Sequence, residues 1–359
     1  MKIGLINLPK DANYGGNLQR FALVKTLQKF GNDVFHYNLV GYSSLPWFKK
    51  PYSYGKRLIK KYILGQHLCI FQEDLRNKKL NHKMDIVSSF YNRYIPHTEE
   101  FFKVSDFKKI FRKYKSDVVI VGSDQVWRKS MTGGKSGLSQ FMLSFIEDKD
   151  VKKIAYSVSL GTDKYELDAD DSKYLSRYYK QFSQVSVRED SAIDLFVHYG
   201  WCIPEARHLL DPTFLLSVDE YNDLIDNALT QPRENEMFCY ILDKNQEKES
   251  KISELSVQMG LSYYIKGIDD DDYDSIEQWL RNIRDAKFIV TDSYHGLIFS
   301  LIYNKPFYLF SNEKRGNARF DSIVKTFKLV INSNQYDWQK VNKVIQEQRQ
   351  ISYSFIKLI

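Results

Sequence analysis

Within this chain of 359 residues, His295 has the surroundings that best suit a proton donor. An apolar strand over 287–290 runs into the turn Thr291-Asp292-Ser293, and an apolar helix over 297–303 follows the histidine. The positive end of a helix dipole disfavours an imidazolium and makes its proton easier to give up, which suits a general acid. The competing role for such a histidine is to tether its own turn. Gly296 beside it leaves room for a ligand or another backbone to come close. Arg188 ends an apolar strand over 184–187 and precedes a helix over 191–199. A strand-end arginine can grip a phosphate or carboxylate with two parallel hydrogen bonds, or pair with its neighbours Glu189 and Asp190. Lys305, Lys314, Arg315, Asn317 and Arg319, around Gly316, form a basic cluster that suits either closure over an anion or a solvated loop. Asn13-Tyr14-Gly15-Gly16-Asn17 has the glycines of a phosphate cradle without the spacing of a dinucleotide or P-loop motif.

Other chemistries find little support. The seven histidines include no HxH or HExxH spacing, and 269–272 lacks the glycine and terminal glutamate of a calcium loop, so no metal site is expected. No GxSxG elbow is present, and no cysteine has a nucleophile's context.

The elements that must position these residues follow a rhythm of strand, polar turn, helix and glycine. It runs through strands over 3–8, 33–40, 117–121, 153–159 and 184–187, with helices over 18–30 and 191–199. A second copy has strands over 237–242, 261–266, 287–290 and 306–310, with helices over 247–259 and 275–285. The polar stretch from Asp211 to Arg233 reads as a hinge, and 337–359 as a terminal helix able to pack on either half. The pattern predicts an α/β protein of two doubly wound domains, 1–212 and 213–359, facing each other across a cleft. Such sheets place ligands beyond the carboxyl ends of their strands, which is where the polar turns fall.

Hydrophobic residues make up 43% of the chain and charged residues 27%, which excludes a disordered or fibrous protein. Three dispersed cysteines exclude a disulfide framework. The opening Met1-Lys2-Ile3-Gly4-Leu5-Ile6 reads as a strand rather than a leader, and no apolar run nears the ~20 residues of a membrane span, so a cytoplasmic location is expected. The net charge is +7, yet residues 49–83 alone carry +8. Trp47, Phe48, Tyr52, Tyr54, Tyr62 and Phe71 interleave with that basic stretch, a mixture suited to an anionic membrane face or to a solvated insertion.

Taken together, the turns resemble the polysaccharide pyruvyl transferase family, in that family's order, from about Ile3 to about Leu329. The residues that carry the resemblance are Asn13-Tyr14-Gly15-Gly16-Asn17-Leu18-Gln19, Val121-Gly122-Ser123-Asp124-Gln125-Val126-Trp127, Val187-Arg188-Glu189-Asp190-Ser191 and Leu210-Asp211-Pro212-Thr213. Thr291-Asp292-Ser293-Tyr294-His295-Gly296, Asn304-Lys305-Pro306-Phe307 and Gly316-Asn317-Ala318-Arg319 complete the set. One departure stands out: many members carry Arg-Leu-His where this chain has Ser293-Tyr294-His295. The work of the missing guanidinium then falls to Arg319 or Lys305.

The resemblance implies two Rossmann-like domains in a glycosyltransferase-B-like arrangement, the first on the acceptor side and the second on the donor side. It implies transfer of pyruvate from phosphoenolpyruvate, a co-substrate, to two hydroxyls of a sugar as a cyclic ketal, with no metal or redox cofactor. His295 is then the proton donor, with Asp124 or Asp211 the base or sugar-positioning group. Arg188, Ser293, Lys305, Asn317 and Arg319 fall on the donor side, and Asn13, Tyr14, Asn17 and Gln125 on the acceptor side. The family context implies a polyprenyl-diphosphate-linked acceptor, and with it a use for the basic stretch 49–83 at the inner membrane face. Two other readings compete: a nucleotide-sugar glycosyltransferase of the same fold, and a basic nucleic-acid-binding protein.

Overall fold

A computed structural model of the chain describes residues 1–41, 58, 61–63, 72–268, 270, 272–312, 316–333 and 335–359. Most of the basic stretch 49–83 lies outside these residues, as do Lys314 and Arg315.

The first half forms β1 (Lys2–Ile6), α1 (Tyr14–Lys29), β2 (Asp33–His36), α2 (Gln72–Tyr94), α3 (Phe107–Lys113), β3 (Val118–Val121), α4 (Gly134–Phe141), β4 (Lys152–Val158), α5 (Ala169–Tyr179), β5 (Gln184–Val187), α6 (Ser191–His198) and β6 (Ala206–His208). Its six strands are parallel, in the order β2-β1-β3-β4-β5-β6. Strands covered on both faces read as unbroken apolar runs, and β3, Val-Val-Ile-Val, is buried throughout. The second half continues with α7 (Val218–Asp226), β7 (Met237–Tyr240), α8 (Gln246–Met259), β8 (Tyr263–Lys266), α9 (Ile276–Asp285), β9 (Phe288–Thr291), α10 (Tyr294–Ile302), β10 (Phe307–Leu309), α11 (Ala318–Phe327) and α12 (Trp338–Lys357). Its four strands are parallel in the order β10-β9-β7-β8.

Each strand order reverses direction once, between β1 and β3 in the first sheet and between β7 and β9 in the second. A crevice opens at such a switch point, beyond the strands' carboxyl ends. The two crevices face each other.

Three features hold the halves together. Tyr14, at the start of α1, stacks on Tyr273 at 4.6 Å and on Trp279 at 5.2 Å, and its hydroxyl donates to Asp274 O at 3.1 Å. Tyr14 is therefore buried between the halves, not presented to an acceptor as the sequence suggests. The expected hinge is also a packed segment. Pro212–Leu215 is a buried 3-10 turn, and α7 begins at a capping box made by Ser217 and Glu220. Finally, α12 crosses back to the first half: Arg349 donates to Phe214 O and Leu216 O of the connecting segment at 2.7 and 2.8 Å, and Phe355 packs on Tyr156 of β4. No helix among the described residues is long and apolar enough to cross a membrane.

Tyr14→Ala is expected to destabilise the fold by ~3–5 kcal/mol, the range for removing a buried aromatic. Tyr14→Phe, which loses one hydrogen bond, should cost ~1 kcal/mol. Urea unfolding measures both; a Tyr14→Ala midpoint equal to that of the wild type would show that the stack does not join the halves.

Candidate active site

The turn after β1 reaches α1 through Asn13, whose side chain caps the helix by accepting from Gly16 N. Asn17 is folded into the same turn, donating to Asp11 O and Asn13 O and accepting from Arg20. It is a buried scaffold residue and has no free edge for an acceptor. The turn after β3 is drawn against β4 so closely that a Cβ on Gly122 would lie 2.1 Å from Tyr156 O. Asp124 follows at φ +76°, a conformation that a short polar side chain tolerates.

Arg188 leaves β5 fully buried and lies between two carboxylates. It donates to Asp124 Oδ1 at 3.0 Å and to Asp211 Oδ2 at 3.1 Å. Neither neighbour in sequence is its partner: Glu189 instead accepts from Ser159 Oγ, Leu160 N and Gly161 N, pinning the turn after β4. Arg188 also lies 4.7 Å from the ring of Tyr294, which Arg319 approaches at 5.3 Å. Arg319 Nη1 is 4.0 Å from Asp124 Oδ1.

His295 stands in the first turn of α10, capped by Ser293, whose Oγ accepts from Gly296 N. Gly296 lets the helix settle on Thr291, where a Cβ would come within 2.3 Å of Oγ1. The imidazole crosses to the first half. Its Nε2 lies 2.9 Å from the Gln19 amide and 3.7 Å from Asp211 Oδ2, and a Cβ on Gly15 would overlap the ring at 1.9 Å from Nδ1.

These residues surround a cavity of about 180 Å³ between the two switch points. Of the residues singled out from the sequence, Asn13, Asp124, Gln125, Ser293, His295 and Arg319 line it. Asp211 stands behind the imidazole, and Arg188 behind Asp124 and Asp211, so neither reaches the cavity. Where the sequence led us to expect Arg188 to grip the donor, the structure places it one layer behind the cavity, bridging the two carboxylates. Lys305 is misplaced as a donor ligand. It precedes β10, at the amino end of a strand parallel to β9, whereas the cavity lies beyond the carboxyl end of β9. Asn317 caps nothing and instead accepts from Asn312 N.

Sequence reasoning missed Gln19, Arg128, Tyr294 and Asp292. Asp292 accepts from Leu242 N, Asp243 N and Lys248 Nζ and so fixes the second switch point. Gln19 lay within a quoted motif without a role, and Arg128, beside Gln125 at 3.1 Å, carried no signal.

The charge balance follows from burial. Burial alone would raise the pKa of Asp124, but Arg188, Arg319 and His295 outweigh it and hold the carboxyl below its ordinary value. Asp211 is held further down: the His295 ring, Arg188 and the Thr213 N–H overcome its burial. Arg319 is pushed down to about 10 by burial and then by Arg188, so it stays charged at neutral pH. Both carboxylates lose protons more readily in the folded chain than in the unfolded one. Their contribution is present above the unfolded value of ~3.9 and is lost as pH falls through the lower folded values. The urea midpoint should therefore drop steeply below about pH 4. Asp211→Asn should be less stable at neutral pH by ~3–5 kcal/mol, for breaking a buried pair, with a shallower acid decline; parallel acid curves would contradict this assignment.

Comparison with known proteins agrees with this architecture. No curated protein matches the sequence. Among solved structures, the UDP-GlcNAc 2-epimerase of Neisseria meningitidis, bound to UDP-GlcNAc, is similar over 98% of this chain and 93% of that one, with 9% identity and a TM-score of 0.50. A Listeria monocytogenes protein described as a UDP-N-acetylglucosamine 2-epimerase is similar over 98% and 89%, with 8% identity and a TM-score of 0.52. At such identities the likeness concerns the fold, and it is the glycosyltransferase-B-like pair of Rossmann-like domains that the sequence led us to expect. The family model for polysaccharide pyruvyl transferases matches residues 13–314, through both switch points and every residue lining the cavity except Arg319 and Phe320, and the chain belongs to that family.

Proposed function

We propose that this transferase moves pyruvate from phosphoenolpyruvate to two hydroxyls of a sugar, with His295 as the general acid. The observation that carries the reading is the placement of His295, Arg319 and Asp124 on one small cavity. Phosphoenolpyruvate presents a nucleophilic methylene beside a phosphate and a carboxylate. A proton from His295 turns the methylene into a methyl group and leaves cationic character on the neighbouring carbon. A sugar hydroxyl oxygen bonds to that carbon, and its proton returns to the now neutral His295 ring. A second hydroxyl oxygen then displaces phosphate, which takes up that hydroxyl's proton as it leaves, and closes the ketal. Arg319, charged and lining the cavity, suits the anionic end of the donor. Asp124 stays ionised and makes a poor proton store, so its role is to accept a hydrogen bond from a hydroxyl and aim it.

Membership of the pyruvyl transferase family supports this donor over a nucleotide sugar. A UDP-sugar donor is the second reading, because the Neisseria neighbour was solved with one. An acceptor on a polyprenyl diphosphate, approached from an anionic membrane face, completes the proposal.

The test is phosphate release from phosphoenolpyruvate with galactoside acceptors, followed by ³¹P NMR, against UDP release from UDP-sugars. In D₂O one deuterium should enter the product methyl group. His295→Asn is expected to lower kcat by ~10²–10⁴, and wild-type turnover in that variant would remove the histidine from the chemistry. Arg319→Ala should raise KM for phosphoenolpyruvate by ~10–100-fold, the worth of one charged hydrogen bond; an unchanged KM would assign the anion to another group.

A further inference from the structure

We infer that Gln19 is a positioning residue that holds His295 by Nε2, so that Nδ1 is the nitrogen that delivers the proton. The inference rests on the general-acid reading of His295 and adds which end of the ring works and what fixes it.

The imidazole is carried by the second half of the molecule, but the first half determines how it is held. Gly15 and Gln19 are four residues apart on α1 and so share one face of the helix. Gly15 supplies a bare surface for the ring, and Gln19 meets Nε2 at 2.9 Å. Asp211 approaches the same nitrogen at 3.7 Å, and it is immobile: Oδ1 accepts from Thr213 N and Oγ1, and Oδ2 accepts from Arg188. Among the described residues Nδ1 makes no hydrogen bond, although the ring lines the cavity.

A carboxylate beside Nε2 favours a proton on that nitrogen. A glutamine amide presents either oxygen or nitrogen by a half-turn of its last torsion, and a proton on Nε2 selects the oxygen. When the ring is an imidazolium, Nε2–H is thus held by Gln19 and Asp211, and Nδ1–H is left for transfer. After transfer the neutral ring keeps its Nε2 proton, with no rearrangement of its partners. Gln19 itself is almost wholly buried, and its other amide atom has no partner among the described residues. A residue retained only for packing would not need an amide there, so the ring contact accounts for it.

The charged and titratable groups around the ring are Asp211 behind it, itself held by Arg188; Asp124, Arg128, Asp292 and Arg319, which line the same cavity; and Tyr294 beside it on α10 at 5.3 Å. Gln19→Glu adds one carboxylate to this set on the nitrogen already anchored.

The test uses the full chain labelled with ¹⁵N-histidine, with the His295 signals assigned by their loss in His295→Asn. In the wild type the neutral ring should carry its proton on Nε2. Gln19→Leu should give a mixture of the two tautomers, and Gln19→Glu should move the ring's titration up by ~1–3 pH units, the range for a new opposite charge. In turnover, Gln19→Leu should lower kcat by ~10–100-fold, the scale of a small misplacement, with KM for phosphoenolpyruvate unchanged. Gln19→Glu should keep most of the activity and shift the alkaline limb of kcat upward with the titration. A wild-type ring protonated on Nδ1, or a titration and tautomer unmoved in both Gln19 variants, would overturn the inference. The spectra need no substrate, so a protein that ignores phosphoenolpyruvate yet shows these shifts would count against the donor and not against the anchoring of the ring. If Gln19→Leu does not fold, Gln19→Glu and the wild-type tautomer decide.

Discussion

The site depends on one buried cation. Arg188 has no exposed side-chain surface, and it ties the turn after β3, through Asp124, to the segment entering the second half, through Asp211. Removing such charges from water is expensive, and a buried ion pair often adds little net stability compared with an apolar replacement. What it provides here is placement. Two carboxylates from distant parts of the chain are held a guanidinium's width apart, one facing the cavity and one facing the imidazole. Without the arginine, two anions would share a dry space and one would take up a proton. The electrostatics of everything nearby would change with it.

The second half contributes the imidazole, and the contact between halves decides whether that ring meets its partners. One continuous apolar core runs from α1 through Pro212–Leu215 to α9, α10 and α12. The stack of Tyr14 on Tyr273 and Trp279 sits one residue from Gly15, so the same helix start that joins the halves also supports the ring. Placement of the histidine is thus a consequence of core packing, and a change in the fit of the halves would be felt at Nε2 first.

Much of the fold was legible because parallel strands buried on both faces leave unbroken apolar runs. The runs at 184–187 and 237–242 fell on β5 and β7 within two residues. The helices α5 and α11 went unread: each mixes aromatic and charged residues, and α11 starts among glycine, asparagine and arginine, a loop's composition. The supposed hinge failed for a related reason. Its polar residues are caps and hydrogen-bond partners of a buried turn, and composition cannot tell a satisfied polar group from a solvated one. At the site, residues in turns after strands were found because chain topology alone sends them to the crevice. The role of Arg188 was misjudged because its partners lie 64 and 23 positions away, where only the folded structure shows them. Lys305 was misjudged because nearness to His295 in sequence hides the length of α10 between them.

The departure from the family's Arg-Leu-His pattern has a physical account. Ser293 does what an arginine at that position could not: its short side chain folds back to cap α10 and fixes the first turn, where His295 sits. Positive charge reaches the cavity from α11 through Arg319, which lies near the Tyr294 ring. Two guanidinium groups near one carboxylate repel each other, and after burial this repulsion is the next cause that lowers the pKa of Arg319. The electron-rich face of the Tyr294 ring lies within 5.3 Å of both and offsets part of that repulsion, which a leucine could not do. Serine and tyrosine therefore act together at the start of α10, beside Arg319. Restoring arginine at 293 alone would remove the helix cap and crowd a third cation onto the same small cavity.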